Sequence, residues 1–207
     1  MKKVLLSVAA LMIASITFGQ TKFGILAGPN FSSATVKNAI PGSGKETGDL
    51  VVGVRAGVTV DLPLAEEFYI GTGLLYAGKG SKDKDNNNLK TTLSYLQLPI
   101  NFVFKPEVGN GWLNLGAGPY VAYGIGGKHK GTIGNVSTEL DPYDDESTIA
   151  KLKRFDAGLG IVAGYEMKQG LYFGLNADLG LVNAYDNTDN DRSWKNTSFG
   201  VSLGYKF

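Results

Sequence analysis

The amino-acid sequence predicts an all-β protein, an eight-stranded antiparallel up-and-down transmembrane β-barrel preceded by a cleavable signal peptide. Three observations carry this expectation. Apolar residues alternate with polar residues or glycine through eight separate stretches, the period-2 mark of strands with two unlike faces. The connections between those stretches run long, short, long, short, long, short, long, as outer loops and periplasmic turns of an outer-membrane barrel do. Glycine reaches 29 of 207 residues while Tyr and Phe number 10 each. That glycine share is about twice the usual one, and it suits a crowded lumen ringed by aromatic rims.

The chain opens on a secretory signal, residues 1–19. Lys2 and Lys3 form its basic start, and Val4–Ile13 is an apolar run too short to span a bilayer. Cleavage is expected after Gly19, leaving residues 20–207 as the barrel domain. With no cysteine, the exported chain can form no disulfide, thiolate metal site or lipidated N-terminus, so backbone pairing and packing must hold it. A net charge of +1 gives no field that would attract nucleic acid.

Lys22–Ala34 is the first expected strand, with Phe23, Ile25, Ala27 and Phe31 on one face. A Gly/Pro-rich, charged loop over residues 37–49 follows, where no strand persists. Leu50–Leu62 sets Val52, Val54, Ala56, Val58 and Val60 against Gly53, Arg55, Gly57, Thr59 and Asp61, and a tight turn at Pro63–Glu66 leads to Phe68–Gly78. Gly80–Lys90 reads as a polar loop. Thr91–Lys105 then puts Leu96, Leu98, Ile100, Phe102 and Phe104 opposite Tyr95, Gln97, Pro99 and Asn101. Pro99 lacks the N–H a ladder needs, which predicts a bulge or a lost bond there.

Past a short turn at Pro106–Gly111, Trp112–Ile125 is the fifth strand. Gly126–Lys151 is the longest expected loop, holding His129 and the acidic run Asp141-Pro142-Tyr143-Asp144-Asp145-Glu146. Leu152–Met167 and Leu171–Val182 are joined by the minimal turn Lys168–Gly170. The loop Asn183–Trp194 leads to the closing strand Asn196–Phe207, in which Phe199, Val201, Leu203, Tyr205 and Phe207 share the apolar face. A terminal aromatic of this kind commonly serves the barrel-assembly machinery, so Tyr205 and Phe207 are assigned as an assembly signal.

Alternation alone leaves open whether the apolar face meets lipid or an internal core. A secreted lipocalin-like barrel would turn it inward around an apolar ligand. Gly, Ser and Asn dominate the polar parity, which fits a narrow lumen better than a water-facing surface rich in Lys and Glu. Phe23, Phe68, Phe104, Tyr165, Phe173, Tyr205 and Phe207 gather at the periplasmic strand ends as an interfacial girdle would. The apolar face is therefore assigned to lipid, in the outer membrane of a Gram-negative bacterium.

Four stretches, FGILAGPNFS (23–32), SYLQLPINFVFKP (94–106), FDAGLGIVAGYE (155–166) and the closing SFGVSLGYKF, resemble the PorT-like outer-membrane β-barrel family. Tyr95-Leu96-Gln97-Leu98-Pro99 is the most distinctive piece, although the family more often carries Glu where this chain has Gln97. The resemblance spans essentially the whole exported chain. It implies a porin-like barrel, with secretion or gliding machinery as the setting of a few members, and it implies that proline is tolerated at position 99.

Catalytic chemistry has little to build on. His129 is the lone histidine, so any Ser/His/Asp arrangement would depend on a loop residue. Asp83 and Asp85, or Asp186, Asp189 and Asp191, lack the Gly and Glu positions of a calcium loop and read as solvated charge. No cofactor or metal is expected, and no enzymatic activity. The lumen carries the informative groups. Arg55, Gln97, Arg154, Asp156, Asn176 and Asp178 form the expected polar cluster, with Arg55 meeting Asp178 or Asp156 and Tyr95 nearby. Asp61, Glu166, Lys22, Lys105 and Lys206 lie inward nearer the periplasm, and buried charges there must pair.

The function expected from these residues is that of a side-chain-plugged barrel with a structural, adhesion or secretion-accessory role. Its partners would be membrane lipid, the assembly machinery and an extracellular or envelope protein reaching the long loops. A small passive porin is the alternative, with the lipocalin-like barrel behind it.

Overall fold

Pairing between each strand and the next turns the alternating stretches into a closed wall. The computed structural model describes residues 21–207 apart from 39–41, 43, 85–88, 134–135, 145–150 and 187–190. The expected signal peptide therefore lies outside the described residues, as do Asp85, Asp145, Glu146 and Asp189. The strands are β1 (Lys22–Lys37), β2 (Lys45–Thr47), β3 (Val51–Ala65), β4 (Phe68–Lys82), β5 (Leu89–Phe104), β6 (Glu107–Val108), β7 (Gly111–Ile133), β8 (Val136–Leu140), β9 (Phe155–Met167), β10 (Leu171–Gly180) and β11 (Ser193–Lys206). Eight of them are staves, in the order β1-β3-β4-β5-β7-β9-β10-β11, and β11 pairs back onto β1 to close the barrel. The short strands β2, β6 and β8 attach to β1, β7 and β7.

The seam runs from Gly24↔Lys206 to Lys37↔Ser193. Proline marks its weak points: the β1–β11 register passes from Ala27↔Leu203 to Asn30↔Gly200 around Pro29. Beside Pro99 the β4–β5 register passes from Thr72↔Ile100 to Leu75↔Gln97, and the Thr72 hydroxyl donates to the Pro99 carbonyl at 2.8 Å. Lost pairing rather than a bulge is what Pro99 imposes. The bulge on the other side of β5 lies in the β5–β7 ladder, between Ser94 and Tyr95. At the periplasmic end Gly170 takes φ 91°, a left-handed turn position that costs glycine nothing.

The two faces separate as the alternation requires. Phe23, Ile25, Val54, Val58, Leu74, Leu98, Ile100, Leu115, Val121, Leu159, Ile161, Leu175, Val201 and Leu203 are all exposed on the outer wall. An apolar belt of this extent has no place in water and suits a bilayer. Inside, Asn30, Ser32, Arg55, Gln97, Asp156, Asn176, Asp178, Asn196 and Ser198 are buried.

The structure corrects the expected loops at the outer end. β4 runs on to Lys82 and β5 starts at Leu89, taking both ends of the expected loop Gly80–Lys90, and β7 runs on to Ile133 before turning into β8, where Gly126–Lys151 was expected to be a loop. His129 accordingly sits in a strand and is buried, its Nδ1 2.8 Å from the Thr91 hydroxyl. In the other direction β9 starts at Phe155 rather than Leu152, and β10 ends at Gly180 rather than Val182. Leu152 packs into an apolar cluster with Tyr143, Tyr185 and Trp194. Once strands leave the lipid, both faces meet water or packed loops, so the sequence loses its alternating signature while backbone pairing persists.

Candidate functional site: a layered plug in the lumen

Inward-facing positions from all eight staves fill the barrel in layers. Nearest the periplasm, Glu166 on β9 accepts from Lys22 at 2.6 Å and from Lys105 at 2.7 Å. Lys105 also reaches Asp61 at 3.1 Å, and Lys206 pairs with the same Asp61 carboxylate. Three ammonium groups thus share two carboxylates. Aromatic faces take up the remaining field: Lys22 lies 4.0 Å from the Trp112 ring centroid, Lys105 5.0 Å from Tyr69 and Lys206 5.1 Å from Tyr172.

The second layer joins β3, β5 and β10. Arg55 Nη1 donates to Asp178 Oδ2 at 2.8 Å, and Gln97 Nε2 donates to the same oxygen at 3.0 Å. Asn176 stands one inward position along β10, and both its Oδ1 and that of Asn30 approach Gly200. A cavity of about 70 Å³ separates this layer from the first, with Arg55, Asp61, Asn101, Tyr172 and Lys206 in its wall. That volume holds a few waters, and Asn101 Oδ1 and Gln97 Oε1 are buried without a hydrogen-bond partner among the described residues.

A third layer is built on Asp156. It accepts from Lys79 Nζ at 3.1 Å, Asn196 Nδ2 at 3.2 Å and the Tyr120 hydroxyl at 3.4 Å. Lys79 lies 4.3 Å from the Tyr120 ring centroid. Of the two acids expected for Arg55, the structure brings Asp178 to it and gives Asp156 to Lys79. Lys79 was missed because the expected strand stopped at Gly78; the inward series Leu75, Ala77, Lys79 would have found it.

Arg154 does not join this cluster. It precedes β9 at the outer mouth, where Nη1 donates to the Gly124 carbonyl at 3.0 Å and the guanidinium stacks 4.6 Å from the Tyr143 ring centroid. Tyr143 closes the lumen there. Its ring lies over Gly124, where an added Cβ would come 2.5 Å from Tyr143 Cζ, and burial pushes its hydroxyl up to about 12. Tyr185 packs edge-on against Trp194 at 6.0 Å, and Trp194 Nε1 donates to Asn196 Oδ1 at 3.0 Å, tying this cap to the third layer. Above it opens a cup of about 400 Å³.

The tightness of the lumen rests on glycine at a few places. Gly164 and Gly174 face each other across β9 and β10, and a Cβ on either would come within 2.6 Å of the Tyr172 hydroxyl. At the rim, Tyr205 and Phe207 meet edge-on at 5.2 Å, and the Phe207 amide donates to the Phe23 carbonyl at 2.8 Å.

An apolar outer belt, a closed eight-stave wall and a charged, packed interior define a small integral outer-membrane β-barrel. The chain belongs to the family described as the outer membrane protein beta-barrel domain, which it matches over residues 18–186. The protein therefore resides in the outer membrane of a Gram-negative cell, in contact with lipid. Among solved structures it is similar to Ail, the attachment invasion locus protein of Yersinia pestis, at 13% identity over 91% of this chain and 100% of that one, TM-score 0.45. Neisserial surface protein A is similar at 10% identity over 89% of this chain and 97% of that one, TM-score 0.45. OprG from Pseudomonas aeruginosa is similar at 13% identity over 90% and 95%, TM-score 0.44. No curated protein matches the chain.

Proposed function

We propose that the protein is a non-enzymatic, non-conducting barrel of the PorT-like kind, with a structural, adhesion or secretion-accessory role. One observation carries the reading: three ion-paired layers and an aromatic cap fill the lumen in series. An ion entering this path would have to displace buried partners, each leaving a charge unpaired at a cost of several kcal/mol. An eight-strand barrel has interior enough for side chains alone. Partner contact then falls to the outer end, where β4, β5, β7 and β8 rise beyond the apolar belt around the open cup.

Purified protein in a planar bilayer tests this. The expected result is no stable conductance step at either polarity; steady open-channel currents would overturn the plugged reading in favour of a small passive porin.

A further inference from the structure

We propose that the cavity between the first and second lumen layers binds one small monovalent anion of the halide class. The charges around it do not cancel. Lys22, Arg55, Lys105 and Lys206 are ion-paired with Asp61, Asp178 and Glu166, four cations to three carboxylates. The third layer is neutral by itself, since Lys79 pairs with Asp156. One positive charge is therefore left over among the described residues of the two lower layers, inside a wall sheathed in lipid. An ion without its counter-charge is costly in such a place. The rings of Trp112, Tyr69 and Tyr172 soften the field of the lysines but carry no net charge to cancel it.

The cavity is where this excess meets open space. Arg55 and Lys206 line it against the single carboxylate of Asp61. Arg55 gives Nη1 to Asp178 and keeps its other N–H groups. Thr59 and Tyr172 bring hydroxyl groups to the same wall, and Asn101 brings a primary amide. Asn101 is 7% exposed and its Oδ1 is enclosed without a partner among the described residues. That leaves the Nδ2 donors as the part of the amide turned to the cavity. Two cations and three neutral donor groups around one carboxylate suit an anion, which takes charge-assisted hydrogen bonds from all of them.

Size and charge narrow the ligand. At about 70 Å³ the space takes one halide, an ion close to water in size, with water beside it. A single excess charge calls for a monovalent ion, and Asp61 in the wall resists a second one. The Lys206 side chain is 10% exposed, against 5% for Arg55 and 6% for Asp61. The ion therefore enters past Lys206 from the periplasmic end and has no need to cross the plug. Once there, it supplies the negative charge that the two layers lack.

The test unfolds the full barrel with urea in phosphatidylcholine vesicles, in sodium chloride, sodium bromide or sodium gluconate at one ionic strength, gluconate being too large for the cavity. The unfolding equilibrium constant of wild type is expected to be about tenfold smaller in about 0.1 M chloride than in gluconate, and to follow the logarithm of chloride with a slope approaching one ion. Asn101→Asp fixes a carboxylate in the cavity wall. It should be indifferent to halide and, in gluconate, as stable as wild type in chloride. Lys206→Met removes the excess cation and should abolish the halide dependence too. Crystals grown in bromide should show one anomalous peak between Arg55 and Lys206. Equal stability of wild type in all three salts, as expected if water alone fills the cavity or one lysine is neutral, would overturn the proposal. So would a rise linear in halide, the mark of a general salt effect, or a halide dependence that persists in folded Asn101→Asp. Should neither variant fold, the chloride titration of wild type and the bromide peak decide it.

Discussion

Asp178 illustrates how much a single side chain controls in this lumen. It is the acceptor for both Arg55 and Gln97, so Asp178→Ala leaves a buried guanidinium without its counter-charge. A loss of about 3–5 kcal/mol is expected, measured as the urea midpoint of the protein refolded in lipid vesicles. Replacing the pair with apolar groups, Arg55→Met with Asp178→Leu, should recover most of it; a double variant as weak as the single one would refute the ion-pair account. Glu139 behaves differently because it is exposed. Hydrogen bonds from Lys128 and Lys130 hold its carboxyl down to about 2, against an ordinary value of 4.5. A depressed folded value means the stabilisation is complete above the ordinary range and is lost as pH falls through the folded one. The protection of the β7–β8 hairpin against hydrogen exchange, taken relative to the intrinsic rate at each pH, should therefore hold steady near neutrality and fall only between about pH 4 and 2.

At the scale of elements, the seam between β1 and β11 joins the strands farthest apart in sequence. The Phe207 amide fastens its end to Phe23, and its ring joins Tyr205 in the periplasmic girdle. Deleting Phe207, or following it with a tag, should lower the amount of heat-modifiable protein in the outer membrane more than it lowers refolding of the purified chain. Normal membrane levels would remove the assembly role. Eight staves could be read from the sequence because lipid and lumen impose opposite chemistries on alternate residues. The outer ends of β4, β5 and β7 could not, since Lys82, Lys90 and Lys128 are as soluble as any loop. The Arg55 partner was legible only as a choice between two acids: alternation fixes the face of each residue, whereas the stagger of strands around the wall sets which inward groups share a height. The Lys22–Glu166–Lys105–Asp61–Lys206 group needed no such choice, because all five sit at periplasmic strand ends.

For the whole molecule, the plug is redundant along its length. Tyr143, Tyr185 and Trp194 close the outer mouth, yet the layers on Asp156, Asp178 and Glu166 lie beneath them, each with its own set of ion pairs. Tyr143→Ala with Trp194→Ala should therefore widen the cup without creating conductance in a planar bilayer. Currents from that double variant would mean that the cap alone is the barrier and that the lower layers are permeable.

The bulge where β7 passes Ser94 and Tyr95 of β5 has a consequence for how this wall can change. Ser94 pairs with Gly126 and Tyr95 with Gly124, so Ile125 is one residue in excess. Before it, even-numbered positions such as Tyr120 and Ala122 face inward; after it, His129 does. A slip that paired Ser94 with Ile125 instead would give an uninterrupted ladder and re-phase everything beyond. Lys128 and Lys130 would swing toward the axis and His129 would come out against the membrane. The hydrogen bonds would survive such a frameshift of the fold, while the inside and the outside of the rim exchanged their chemistry.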